Sequence, residues 1–187
     1  MRAGGAGDVP GAGAANGLKQ VADQWRSMRT DDLPAVDRIA DVVHPGFPER
    51  PAIPEERLAL YQAGCLVLER DGAVMGYAVS HPWHAGKPPA LDTLLGQLPI
   101  TPATYYLHDL ALLPAARGNG AAAVAWLIRQ AARENLATLS LVAVNNSVGF
   151  WQRQGFAVTG PAPTSYGATA CCMARATSHS TAPTSSP

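Results

Sequence analysis

Apolar residues change their spacing along this chain in a way that separates strands from helices. Gln24–Arg29 (QWRSMR) alternates and reads as a first strand. Leu33, Val36, Ile39, Ala40 and Val43 then recur at helical intervals, with Asp31 and Asp32 ahead of them as candidate N-caps. Pro54 opens a second short helix (PEERLALYQA), for which Gly64 offers a left-handed stop. Cys65–Arg70 and Ala73–Ser80 are strand-like and flank Asp71-Gly72, a two-residue hairpin signal. Residues 82–102 break the pattern: Pro82, Pro88, Pro89, Pro99 and Pro102 make an irregular excursion, with one turn of helix expected near Leu91–Leu95.

The second half is more regular. Thr104–Leu113 reads as a buried strand, Pro114 to Gly120 as a loop, and Ala121–Asn135 as a strong helix. Thr138–Val144 is a further buried strand. Ser147–Gln154 is a short helix ended by Gly155, Ala157–Thr159 begins a strand, and Tyr166–Arg175 is the last one. Helices before a hairpin and strand–helix units after it predict an α/β fold: a mixed, mostly antiparallel sheet of six to seven strands flanked by about four helices.

Composition sets the limits of this picture. The chain has 187 residues, enough for one core of ordinary size. Residues 1–17 are rich in Gly and Ala and 177–187 in Ser, Thr and Pro, so both are expected to be disordered tails around a domain at 18–176. Fourteen basic residues balance 14 acidic ones. A nucleic-acid partner, which calls for a basic excess, is therefore not expected. No apolar run approaches the ~18 residues of a membrane span, and no membrane partner is expected. Cys65, Cys171 and Cys172 are odd in number and lack metal-ligand spacing. They read as free thiols in a reducing compartment, with a cytoplasmic location and no metal expected.

One junction points to chemistry. Arg117-Gly118-Asn119-Gly120-Ala121-Ala122 lies between a strand and a helix. Small residues there let backbone N–H groups approach an anion, and the helix N-terminus adds partial positive charge. A pyrophosphate would fit; a tight turn needing two glycines is the alternative. Neither a P-loop nor a dinucleotide G-x-G-x-x-G pattern is present.

The R-x-x-G-x-A spacing of Arg117–Ala122, after Leu110-Ala111-Leu112-Leu113-Pro114, resembles the acyl-CoA signature of the GNAT acetyltransferase superfamily. Downstream, Phe150-Trp151-Gln152-Arg153-Gln154-Gly155-Phe156 is similar to that family's aromatic helix end. The resemblance implies a single-domain GNAT-like fold and acetyl-CoA as cosubstrate. It assigns the pantetheine to strand residues Leu110, Ala111 and Leu112, the pyrophosphate to Arg117–Ala122, and a further contact to Asn145 or Asn146. Leu107–Leu112 also resembles the His-x-Leu-Ala-Val strand of arylalkylamine-type members, which makes His108 a base candidate; a buried histidine of the sheet is the alternative. Asp109 is expected on the opposite face of that strand. Many members carry Tyr where this chain has Trp151, whose indole cannot deliver a proton at neutral pH. Tyr166 is the substitute for that role, or a structural tyrosine. His44, His81, Trp83 and Tyr105 are candidates for an aromatic acceptor cleft. The resemblance implies N-acetylation of a small-molecule amine; protein or peptide acetylation and a non-catalytic acyl-CoA-binding module are the alternatives, and a homodimer is left open.

Overall fold

The computed structural model describes residues 22–177. The expected tail at 1–17, nearly all of that at 177–187, and positions 18–21 of the expected domain lie outside them. Seven strands and four α-helices follow in chain order: β1 (Gln24–Ser27), α1 (Leu33–Val43), α2 (Ala52–Leu60), β2 (Cys65–Arg70), β3 (Ala73–Trp83), β4 (Thr104–Leu112), α3 (Gly120–Arg133), β5 (Thr138–Ala143), α4 (Val148–Arg153), β6 (Ala157–Pro161) and β7 (Cys171–Ala176). They build one sheet in the order β1-β2-β3-β4-β5-β7-β6, antiparallel throughout except for β4 beside β5.

Two apolar layers cover the sheet. On one face Val36, Ile39 and Leu58 of the first two helices pack on Val67, Tyr77, Val79 and Ala111. On the other, Val124 and Leu127 of α3 and Trp151 of α4 pack on Tyr105, Leu107, Leu139 and Met173. Burying a side chain such as Leu127, which is fully enclosed, contributes roughly 2–3 kcal/mol. No helix among the described residues is long and apolar enough to cross a membrane.

The hairpin forms at Asp71-Gly72, where φ is 50° and 78°, the two left-handed positions of a type I′ turn. Several expectations shift. Asp32 carries no side-chain cap for α1; its carboxylate accepts from the backbone N–H of Arg29 at 2.7 Å and from Arg26 instead. Gly64 is no left-handed stop. It is a close-approach glycine, because a Cβ there would stand 1.9 Å from the Ser80 carbonyl oxygen. β3 continues through Pro82 to Trp83, pairing with Tyr105 and Thr104. The Leu91–Leu95 turn of helix does not form. Tyr166 belongs to a 3-10 turn, and the last strand begins only at Cys171. Thr177 is still tied to the domain, its N–H donating to Ala137 and its hydroxyl to Leu136.

Two irregularities of β4 create the site. Its parallel pairing with β5 covers only Tyr105–Leu107 against Leu139–Leu141. Beyond that the strands separate, leaving one edge of β4 without a ladder partner through Leu112. Against β3, Val79 pairs with Asp109 while Ser80 pairs with Leu107, so His108 is an extra residue in a β-bulge.

Candidate active site

A cavity of about 510 Å³ occupies the opening between β4 and β5. One end is apolar and rich in backbone. Leu110 and Leu112 of β4 face Val142 and Val144, and Arg117, Gly118, Gly120 and Ala121 close it at the start of α3. The first N–H groups of that helix have no intrahelical acceptor and point out of its N-terminus. Gly118 has φ 102°, and a Cβ there would meet nothing within 4 Å, so the turn is open to a ligand. Gly120 differs: its Cβ would stand 3.0 Å from the Phe150 ring, so this glycine serves helix-to-helix packing. An extended chain ending in a phosphate fits this end, with free backbone along β4 and unpaired N–H groups at α3.

The other end is built from side chains. His108 Nε2 lies 3.0 Å from Glu49 Oε2, and the histidine is almost fully buried. Its Nδ1 has no partner among the described residues. Glu49 comes from the loop between α1 and α2, and its Oε1 accepts from the Asp92 backbone N–H at 2.9 Å. Burial pushes the Glu49 carboxyl up, but the hydrogen bond and charge of His108, with the Asp92 N–H, more than offset it, so the group lies below its ordinary value. Beside this pair, His44 Nε2 stands 3.0 Å from Asp109 Oδ1. Burial disfavours charge on both, yet their mutual attraction prevails: His44 is raised and Asp109 lowered. The Tyr77 hydroxyl donates to the second oxygen of Asp109.

The bulge explains why both dyads share a wall. Strict alternation would send His108 and Asp109 to opposite faces; the extra residue sends both toward α1 and its following loop. Asp109 is therefore not on the opposite face, as its spacing suggests. Leu91 completes the wall from the excursion, which Glu56 and Arg57 of α2 fasten through the backbone of Thr93, Leu95 and Gly96.

Of the residues singled out from the sequence, His44, His108, Leu110, Leu112, Arg117, Gly118, Gly120, Ala121, Asn145 and Tyr166 line the cavity. Ala111 faces the α1 core, Ala122 is exposed, and the Asn119 amide turns to Asp23 and Ala116. Asn145 and Asn146 both have left-handed φ, 54° and 57°, which asparagine tolerates. They turn the chain from β5 into α4; Asn145 reaches His44 Nδ1 at 3.1 Å, while Asn146 is exposed away from the cavity.

Three acceptor-cleft candidates are not brought together with it. Tyr105 is fully buried on the α3 face, bonded to Ser80. His81 is buried behind His108, its ring 6.5 Å away, and desolvation pushes it down to about 3, so it is neutral. Trp83 donates to the Lys87 carbonyl beyond the cavity. Tyr166 lines the cavity, but its hydroxyl donates to the Pro89 carbonyl at 3.1 Å, and burial pushes it up to about 12. The Trp151 indole donates to Ser147 Oγ at 3.1 Å. Glu49 and Phe47 are the residues that sequence reasoning missed. The one available signal was the proline spacing around them, Pro45, Pro48, Pro51 and Pro54, which marks a stiff segment.

The profile of the acetyltransferase (GNAT) family matches residues 24–156. Among solved structures, the chain is similar to Ard1 from Thermoplasma volcanium (TM-score 0.66, 19% identity, 83% of this chain and 98% of that one). It is also similar to the ribosomal-protein-S18-alanine N-acetyltransferase from Escherichia coli (0.58, 19%, 84% and 96%). A third is the N-acetylglutamate synthase from Neisseria gonorrhoeae, determined with coenzyme A and N-acetylglutamate (0.60, 18%, 86% of this chain but 36% of that one). At these identities the likeness concerns the fold. Comparison with curated proteins finds no match.

Proposed function

The chain belongs to the acetyltransferase (GNAT) family and is an acyl-CoA-dependent acyltransferase, and we propose that it moves an acetyl group from acetyl-CoA to a primary amine of a small molecule by direct attack in a ternary complex. The observation that carries this reading is the single cavity joining an open, backbone-rich cleft at α3 to the buried Glu49–His108 pair. Leu110 and Leu112 would offer backbone groups to the pantetheine. The N–H groups from Gly118 to Ala121 would hold the pyrophosphate, with the exposed Arg117 beside them.

An alkylammonium has a pKa of ~10, so at pH 7 only about one molecule in a thousand carries the lone pair that attacks, a cost near 4 kcal/mol. A base next to the thioester removes that obstacle. His108 takes the role: Glu49 accepts from Nε2–H and fixes the tautomer, which leaves Nδ1 as the basic nitrogen. As the nitrogen–carbon bond forms, the carbon–sulfur bond breaks. His108 takes the ammonium proton, directly or through water, and the second N–H proton is released to water as the adduct expels the coenzyme as thiolate. A thiol of pKa ~8.5 leaves without a dedicated acid, and water can protonate it. Tyr166, donating to Pro89, braces the excursion in this reading.

A steady-state thiol-release assay tests it, with a panel of small amines run against peptides bearing free N-termini. Turnover with small amines is the expected result. Turnover confined to peptides would replace the acceptor class, and acetyl-CoA binding without turnover on either would leave only a coenzyme-binding module.

A further inference from the structure

Behind the wall of the two dyads lies a second cavity of about 450 Å³, between α1, the loop that follows it and β3. It shares His44, Phe47, Glu49, His108 and Asp109 with the first cavity, so these side chains are a partition seen from both sides. We propose that this second cavity is the acceptor pocket and that it selects a primary amine carrying a second positive charge, a short aliphatic diamine in class. The proposal rests on the acetyl-transfer reading and names the substrate class for it.

Charge is the first argument. Asp37 and Asp41 of α1 line this cavity together with Glu49 and Asp109, and no Lys or Arg does. Glu49 and Asp109 each have a histidine partner. Asp37 and Asp41 are four residues apart on one helix face, and among the described residues neither forms an ion pair. Burial pushes the Asp37 carboxyl up, and the Asp41 charge pushes it further. Arg38 on the neighbouring helix position offsets part of this, but it lines no part of the cavity, and half-buried Asp37 with exposed Asp41 at the rim form a like-charged pair that a bound cation relieves. A monoamine satisfies only the partition end, and an acceptor bearing a carboxylate is repelled.

The second argument is the aim of the partition. The His108 side chain is only 4% exposed, yet its Nδ1 has no partner among the described residues, and the ring forms part of this cavity's wall. His108 thus stands between this cavity and the thioester cleft with one ring nitrogen buried and unpartnered, and an amine bound here needs only a small shift of the ring to reach it. The third is stiffness. Pro45, Pro48, Pro51 and Pro54 all line the cavity, and each fixes its own φ. A wall already ordered before binding spends little affinity on reorganisation, which suits a small ligand with few groups to recognise.

The test compares butylamine with putrescine, its terminal diamine, in the thiol-release assay on the full chain. Putrescine is expected to show a kcat/KM about three- to fivefold higher, mainly through KM, the scale of one partly exposed ion pair. In the Asp37→Asn/Asp41→Asn double variant the ratio of the two amines should fall to near unity. Asp31→Asn, an exposed acid outside the cavity, should keep it. Equal kcat/KM for the two amines, or a ratio unmoved in the double variant, overturns the proposal. Calorimetric titration with putrescine alone reads the pocket without turnover. Aspartate-dependent binding with no acetylation of either amine would support the pocket while refuting the acetyl-transfer reading.

Discussion

The two ends of the main cavity are made of different material. The cleft at α3 is built mainly from one short run of chain, Leu110 to Ala121, with Val142 and Val144 opposite, and presents backbone groups, small residues and apolar strand edges. The opposite wall draws His44, Glu49, His108 and Asp109 from α1, its following loop and β4, and consists of two histidine–carboxylate pairs. A backbone site tolerates many side chains and needs only conformation, so it survives as a local pattern. A side-chain site needs exact partners, and those partners come from wherever the fold delivers them. The contrast predicts that damage to the wall appears in turnover and damage to the cleft in coenzyme affinity.

The largest effect should come from the wall. His108→Ala is expected to lower kcat by ~10²–10⁴-fold near pH 7, the usual contribution of a positioned base. The loss should shrink as pH rises toward the acceptor's own pKa, and for acceptors of low pKa such as anilines. A defect equal at all pH values and for all acceptors, with chemistry limiting the rate, would return His108 to a structural role. Glu49→Gln should cost less, about ten- to hundredfold in kcat, the worth of one charge-assisted hydrogen bond. Its signature is a displaced pH profile, because Glu49 acts through His108; a lowered Tm with an unmoved profile would mark it as packing only.

At the cleft, Gly118→Val should weaken acetyl-CoA binding about tenfold by calorimetry. Its φ of 102° is closed to a β-branched residue, so the turn must rearrange. Unchanged affinity in a folded variant would move the pyrophosphate elsewhere. Gly120→Val is the less clean probe, since its side chain strikes Phe150 and disturbs packing as well.

The smallest effect concerns stability. His44 is raised by Asp109, after burial is overcome, so its contribution is complete below the unfolded value near ~6.5 and is lost as pH climbs through the higher folded value. Asp109 is lowered, so its share is present above ~3.9 and is lost as pH falls through the folded value. The Tm gap between the wild type and His44→Gln should be widest between about pH 5 and 6 and close on both sides, by a few degrees at most. A gap constant from acid to alkaline pH would mean that the pair carries no charge.

Much of the frame was readable along the chain because its causes are local. Alternation marked β1, apolar runs marked β2 through β5, helical spacing marked α1 and α3, and Asp71-Gly72 named its own turn. The glycines between β4 and α3 marked the cleft by the same logic, since conformational freedom and N–H donors belong to single residues. The family resemblance pointed to His108 and Tyr166, which line the cavity, though not to the partners they meet there.

What the tertiary structure alone decided is which distant groups meet. Alternation along β4 predicts that His108 and Asp109 part company; a bulge set by pairing with β3 keeps them together. The same alternation hides Tyr105 in the α3 core although it is an aromatic residue on the right strand. Glu49 sits 59 residues before His108 in sequence and 3.0 Å from it in space. No period or propensity encodes that contact. Local structure follows from the sterics and hydrogen bonds of a few neighbouring residues, whereas a contact between distant side chains is fixed by the packing of whole layers, and only the folded chain brings those layers together.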